Sequence, residues 1–460
     1  MNYDETARAL MALGRELAAP RQARLQKFGL EHITTLAEDL GNPHFAMPCA
    51  HVAGTNGKGS TAAMLESILR TSGLRTGLYT SPHLERINER IRVNGGDIAD
   101  QTFASAWTRV RASIESLMAA GKLGAHPTFF ECITAMAFLI FAQQGVDFAV
   151  YEVGLGGRCD ATNIVQPRVT ILTPIDFDHE NFLGHSIEEI AAEKAGIIKA
   201  GAWVVSAAQR PEAEAVIAGR ARELDARLVN VDSAWRMQDA QASGGYHRAV
   251  VAPPDSHQTV VLAPALPGRF QIENALTAAT AARLLAERGF PVTDDAIERG
   301  IATVRWPGRL ERISERPALY LDGTHNPAGA RELVKFWKEN FAGSRIVLVY
   351  GAMRDKAVDE IAGLLFPHTD AVILTEPRQP RAISASVLAE IAGHLAKHSV
   401  VISDPDEALE RAITMAAPEG TVFATGSLYL VGDLRSYWRK RKPGEVTADR
   451  PVLHRPSDKP

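Results

Sequence analysis

The chain has 460 residues, of which 46% are hydrophobic and 23% charged, the balance of an ordinary folded protein with too much length for one comfortable core. Its formal charge of −4 supplies no basic field, so sequence-independent nucleic-acid binding lacks its usual driving force. No apolar run approaches the ~18 residues that span a bilayer, and the stretch MNYDETARALMALGRELAAP lacks the pattern of a secretory leader. A cytoplasmic protein with neither a membrane nor a nucleic-acid partner is expected, and nothing in the chain demands more than a monomer. Cys49, Cys132 and Cys159 lie in or beside apolar segments without metal-type spacing and are expected as small core residues.

From residue 47 onward, short apolar runs ending in Gly, Asp, Thr or Ser alternate with stretches of helical period, the signature of a parallel α/β sheet. CAHVA, residues 49–53, reads as the first strand, and residues 61–71 place Met64, Leu65, Ile68 and Leu69 on one helical face. Between them stands AGTNGKGST, residues 53–61, a phosphate loop by position: glycines let backbone N–H groups approach phosphate oxygens at a helix N-terminus. Thr55, Asn56, Gly57, Lys58, Gly59 and Ser60 are therefore the candidate ATP-binding residues, with Lys58 neutralising phosphate charge and Ser60 within reach of a magnesium ion. The loop departs from the commonest form: only Thr55 and Asn56 separate Gly54 from Gly57, and Gly59 precedes Ser60. A tight glycine turn with a solvent lysine is the plainer alternative.

Further strands are predicted at residues 148–153 and 169–173, apolar enough to be buried on both faces. Residues 203–266 change texture and suggest a small antiparallel addition. After WPGRLER, residues 306–312, the alternation restarts with strands at 318–321, 346–350, 372–375 and 422–424. The expected organisation is α/β throughout: an ATP- and acceptor-binding domain over 1–305, a smaller Rossmann-like domain over 306–438 after a short hinge, and a flexible, charged, proline-rich tail over 439–460. Glu152 falls near the carboxyl end of a strand, where open α/β sheets place their ligands, although a buried acid could equally serve a salt bridge. Ser186 and Glu189 form a capping-box pattern, and the helix it starts puts Lys194 on the apolar face with Ile187, Ile190, Ala191 and Ile198. An inward lysine needs neutralising or pairing, unless it snorkels to solvent.

The ordered run of AGTNGKGST, YTSPHLERINERIRVN, TFFE, YEVGLGGRCDATN, DFDHENFLG, AEKAGI, GRFQIENA, WPGR, LDGTHNP, GAMRDK and GSLY resembles the folylpolyglutamate synthase and dihydrofolate synthase family of the Mur ligase superfamily. The resemblance implies a P-loop-type Mur ligase central domain followed by a C-terminal glutamate ligase domain. It also implies a reaction in which ATP phosphorylates an acceptor carboxylate and the glutamate amine displaces the phosphate. It places magnesium at Ser81, Glu152 and His179, a carbamylated lysine at Lys194, and nucleotide contacts at Asn274, Arg309 and Asp322. Lys58, Lys194, Asp322 and His325 would serve the chemistry, and Ser427 would lie near the incoming glutamate. Pteroate or folate contacts map to Phe28, Gly29 and Leu30, to Thr128, Phe129, Phe130 and Glu131, and to Asp160. The family's GLER reads GLEH here, with His32 in place of arginine. Taken alone, Ser81 is a turn residue, His179 a loop histidine, Asp322 a turn cap, Asn274 a helix cap, Arg309 a surface charge and Phe129–Phe130 a core pair. A bifunctional ligase acting on dihydropteroate and on folates is the leading expectation. A monofunctional polyglutamate synthase, a peptidoglycan-precursor ligase and a nucleotide switch are the alternatives.

Overall fold

Strand β1 (Cys49–Ala53) is buried along its whole length, and its apolar side chains divide among three cores, Ala53 packing with the helix Ile187–Ala195. Cys49 packs with the helices Asp100–Ala119 and Phe129–Gln143, whereas Ala50 and Val52 pack with Lys58–Thr71, Phe270–Glu287 and Asp294–Thr303. A strand covered on both faces is what its unbroken apolar run requires. The computed structural model describes residues 1–16 and 29–442, and the elements named below belong to those residues.

The first sheet adds β2 (Thr76–Tyr79), β3 (Ile91–Val93), β4 (Gly96–Asp97), β5 (Phe148–Glu152), β6 (Val169–Leu172), β7 (Trp203–Ser206) and β8 (Arg227–Asn230), in the order β4-β3-β2-β5-β1-β6-β7-β8. The six strands from β2 to β8 in that order run parallel, and β3 and β4 continue antiparallel at the edge. The chain leaves β1 toward β2 and returns to β6 on its other side, so a crevice opens at the carboxyl ends of β1, β5 and β6. A separate antiparallel sheet holds β9 (Arg236–Ser243), β10 (Tyr246–Ala252) and β11 (Val260–Leu262). The antiparallel addition is thus shorter than expected from residues 203–266. β7 and β8 belong to the parallel sheet because their apolar residues, Val204 and Val205 above all, extend two of its cores.

The second sheet has the order β12-β13-β17-β14-β15-β16, from β12 (Glu311–Glu315), β13 (Ala318–Leu321), β14 (Ile346–Tyr350), β15 (Ala371–Leu374), β16 (Ser399–Val401) and β17 (Thr421–Thr425). Only β12 is antiparallel. Helices cover both faces over two further cores. The last helix, Leu428–Arg441, runs past residue 438 and ends in Arg439, Lys440 and Arg441, the side suited to a helix dipole's negative end. The expected tail therefore loses its first residues to this helix, and 443–460 lie outside the described residues. No helix among the described residues is long and apolar enough to cross a membrane.

The two sheets meet along a seam at which the last helix lies against the loop after β2. A Cβ on Gly432 would stand 1.9 Å from the Leu84 carbonyl oxygen, so only glycine allows that approach. Gly432→Ala is expected to cost about 1–3 kcal/mol by overpacking. A calorimetric melting temperature equal to that of the parent would show that the seam yields without cost.

Candidate functional site

The glycine-rich loop leaves β1 and turns into the helix Lys58–Thr71 at Gly57, whose φ of 83° lies in the left-handed region. A Cβ there would come within 2.3 Å of Asn274 Oδ1, so Gly57 answers both a backbone and a packing demand. The N–H groups of Thr55 and Asn56 donate to the Pro174 carbonyl, and Thr55 Oγ1 donates to the Asp176 carbonyl at 2.9 Å. The loop after β6 thereby braces the phosphate loop. Lys58 folds back onto its own loop, its Nζ donating to the carbonyls of Gly54 and Thr55 at 3.1 and 3.0 Å.

Lys194 reaches the same loop from the helix Ile187–Ala195, which Ser186 and Glu189 cap reciprocally as the sequence pattern requires. Its side chain does not snorkel: the residue is 5% exposed, and Nζ donates to the Gly54 carbonyl at 2.7 Å. Burial first, and the Lys58 charge second, pull its pKa down to about 7. Burial also lowers the Lys58 pKa, against the pull of Glu152 and Asp178. Glu152, last in β5 and buried, accepts the Ser81 N–H at 3.0 Å. Burial raises its pKa, and Lys58 opposes that rise.

His179 sits at φ 53° just past the carboxyl end of β6, beside Asp178. Asp178 is the point at which the second sheet closes on the first. It receives Lys356 Nζ at 2.8 Å and Asn326 Nδ2 at 3.3 Å, with His325 Nε2 at 3.7 Å. Lys356 also lies 3.3 Å from His179 Nε2. Burial and Lys356 hold the pKa of both His179 and His325 down to about 4, so each imidazole is neutral near pH 7. Lys356 and the two histidines keep the Asp178 carboxyl well below the usual range against the opposing effect of burial.

Asp322 follows β13 and spends both oxygens on backbone, accepting Leu310 N–H at 2.9 Å and Thr324 N–H at 3.0 Å. It therefore fastens the hinge to the loop that presents His325, the turn-cap role open to it from sequence. Arg309 is no surface charge: burial lowers its pKa, opposed by Asp322 and then Glu152. Asn274 is not a helix cap; it lies within the helix Phe270–Glu287, where its Oδ1 accepts Thr61 Oγ1 at 3.4 Å.

Residues 55–60, Ser81, Glu152, His179, Lys194, Asn274, Arg309, Asp322 and His325 all line one cavity of about 530 Å³. A second cavity of about 860 Å³ adjoins it, with Ser81, Gly154, His179 and His325 common to both. Of the predicted acceptor residues, Gly29, Thr128, Phe130, Glu131 and Asp160 line this second cavity, together with Ser427, expected near the incoming glutamate. Leu30 and Phe129 do not: both are partly buried and pack against the core. Phe28 lies outside the described residues.

The predicted acids and hydroxyls of this cavity are largely committed to shaping it. Glu131 Oε2 accepts the Thr128 N–H and hydroxyl, in a capping box. Asp160 accepts the N–H groups of Gly154, Leu155 and Thr162, and Ser427 caps the last helix through Tyr429 N–H. Asp178 was visible from sequence only as an acid beside His179, and Asn326 and Lys356 were not singled out. Asp178 lay within DFDHENFLG and Lys356 within GAMRDK, but nothing local showed that two segments 178 positions apart would meet.

The Asp178–Lys356 pair is 11% and 8% exposed at its side chains. Asp178→Asn strands a buried ammonium and is expected to cost roughly 3–5 kcal/mol in denaturant unfolding. Because the Asp178 pKa is depressed on folding, the wild-type contribution is complete above the ordinary carboxylate range and fades as pH falls below it. An asparagine variant matching the wild type at pH 7 would show that Lys356 finds solvent instead.

Two family models match the chain, the Mur ligase middle domain over residues 52–282 and the Mur ligase glutamate ligase domain over 308–428. The dihydrofolate synthase/folylpolyglutamate synthase of Bacillus subtilis is 37% identical over 412 residues, 89% of this chain and 94% of its own. Among solved structures, Mycobacterium tuberculosis folylpolyglutamate synthase complexed with ADP and AMPPCP superposes with a TM-score of 0.83 at 32% identity, covering 92% of this chain and 99% of that one. E. coli FolC in complex with DHPP and ADP does so with a TM-score of 0.79 at 32% identity, over 90% and 94% of the two chains. With two ligase domains in series, the same fold at this identity and near-complete coverage, the chain belongs to the folylpolyglutamate synthase/dihydrofolate synthase family of Mur ligases.

Proposed function

We propose that this chain adds L-glutamate both to dihydropteroate and to folate glutamates, using ATP to convert the acceptor carboxylate to an acyl phosphate and releasing ADP and phosphate. The observation that carries this reading is the junction of two cavities over one set of side chains. A triphosphate bound at residues 55–60 would point its terminal phosphate toward an acid bound in the second cavity, with His179 and His325 between them. The relatives' ligands agree with this division, since one neighbour is complexed with ADP and AMPPCP and another holds DHPP together with ADP.

Within that reading the chain's own groups have separable tasks. The backbone amides of residues 57–60, at the positive end of the helix, would hold the phosphates, since those of Thr55 and Asn56 are taken by Pro174. Lys58 leaves its two carbonyls to neutralise the transferring group, and Arg309 and Asn274 complete the nucleotide cavity. Phosphoryl transfer asks for alignment and charge stabilisation rather than for a covalent intermediate on the protein. Asp322 acts by positioning, because its oxygens hold the hinge and the His325 loop. Ser427 and Lys356, at the carboxyl edge of the second sheet, face the cavity where a glutamate amine would approach.

Ser81, Glu152 and His179 fit a magnesium ion. Glu152 lines the nucleotide cavity with one oxygen on Ser81 N–H, and His179 is neutral, its Nε2 accepting from Lys356 Nζ, a contact that a cation would have to displace. Magnesium bound there would shield the nucleotide's phosphates.

Lys194 fits a carbamate. Only the neutral amine attacks carbon dioxide, and a pKa near 7 leaves a large neutral fraction at physiological pH. Carbamylation, read as a gain of one CO₂ by native mass spectrometry in bicarbonate, is expected to rise as pH passes upward through about 7. A mass that stays at the bare chain across that range would exclude it.

Product analysis tests the whole assignment, with ATP, magnesium, glutamate and a mixture of dihydropteroate and tetrahydrofolate. A glutamate added to both acceptors is expected. Addition to tetrahydrofolate alone would leave a monofunctional polyglutamate synthase, and ATP consumption without either product would return the chain to the nucleotide-switch class.

A further inference from the structure

Three cations that line the acceptor cavity have no task in the reactions above, Arg90, Arg158 and Arg381, and of these Arg90 alone is buried. Arg90 ends the short turn Ile87–Arg90 ahead of β3, is 6% exposed, and lines that cavity. Its Nε donates to His83 Nδ1 at 3.0 Å, and its guanidinium carbon stands 5.2 Å from the centre of the Phe129 ring. His83 is a neutral partner, its pKa pulled down to about 3 by burial and then by Arg90 itself. The acids close by are already engaged. Glu89 accepts the N–H groups of Leu84, Glu85 and Arg86, and Glu152 accepts Ser81 N–H.

Among the described residues no carboxylate forms an ion pair with Arg90, and Nε is its only guanidinium nitrogen with a hydrogen-bond partner. A buried guanidinium without a counter-charge is costly, and a fold that keeps one against a ligand cavity has left the counter-charge to the ligand. The ring of Phe129 fixes the plane of the fork, and His83 fixes its rotation, so its outer nitrogens are pre-set for a planar two-oxygen anion.

We propose that Arg90 binds a carboxylate of the acceptor and so sets the acceptor's register against the nucleotide cavity. This rests on the ligase function proposed above. Dihydropteroate offers one carboxylate, the reacting one, whereas a folyl glutamate offers an α-carboxylate as well.

Arg90→Met keeps the stem over Phe129 and removes the charge; Arg90→Lys keeps a charge without the fork. Steady-state kinetics on both acceptors, beside the wild type, separate the possibilities. The methionine variant is expected to raise the acceptor KM roughly 10- to 100-fold, the scale of a lost charge-assisted bond, with the KM for ATP within about twofold of wild type. The lysine variant should fall between. A rise for both acceptors assigns Arg90 to the reacting carboxylate, and a rise for tetrahydrofolate alone assigns it to the α-carboxylate. Unchanged acceptor KM in a variant with the wild-type melting temperature would overturn the proposal, as would equal rises for acceptor and ATP, which mark a merely structural role. If Arg90→Met melts early, the same split is read from Arg90→Lys. A wild type that adds no glutamate to either acceptor would instead sink the function on which the proposal rests.

Discussion

Two lysine amines, one buried and one half-buried, share one carbonyl. Lys58 and Lys194 both donate to Gly54 O, one from the helix that follows the loop and one from a helix 140 positions away. Like charges so placed repel, and each is already weakened by burial. The arrangement persists because Glu152 and Asp178 stand close enough to offset it, and because the loop's own dipoles accept the protons. Arg309, Lys356 and Arg90 add further cations to the two cavities, whose linings also carry Glu152, Asp178, Asp322 and Asp160. Most of those carboxylates are engaged by backbone or by Lys356, and His179 and His325 are held neutral, so the lysines and arginines are the groups left to meet a triphosphate on one side and an acid on the other.

That electrostatic requirement explains the architecture around it. Parallel strands bring their carboxyl ends, and the loops that bear polar residues, to one edge of a sheet. Here two such edges face each other, one giving residues 54–60, Glu152 and His179, and the other giving Asp322, His325 and Ser427. The polar side chains that line the gap are for the most part bonded to backbone, as with Asp160, Glu131 and Asp322. Their carboxylates are spent on loop shape, which holds the groups that act in place.

Much of this was legible in the sequence because it is local. The strand CAHVA, its loop and its helix are contiguous, and the capping box at Ser186 predicted the inward face of Lys194 correctly. The strands at 318–321 and 346–350 match the structure residue for residue. What escaped was either short or distant. β2 carries Gly77, which is needed where the Phe141 ring presses on the strand and which breaks the apolar run. β3, β4 and β16 have only two or three residues each, too few to show a period. The Asp178–Lys356 contact and the unpaired state of Arg90 depend on tertiary placement, and no spacing rule anticipates them.

The seam between the two sheets is fastened by charge at one edge. Arg435 of the last helix is held by Glu85 of the Ser81 loop and by Glu311 at the start of β12, and Glu311 also accepts the Gly308 N–H of the hinge. Arg435 is 10% exposed at its side chain, so the two carboxylates that satisfy it are part of the packed seam rather than a loose surface pair. The charges fasten this edge, with Gly432 against Leu84 behind it. The opposite edge is joined through Asp178, Asn326 and Lys356, whose partners are polar and border the cavities. The buried ion pairs and the close packing thus lie at the first edge, and the polar groups that border the cavities lie at the second.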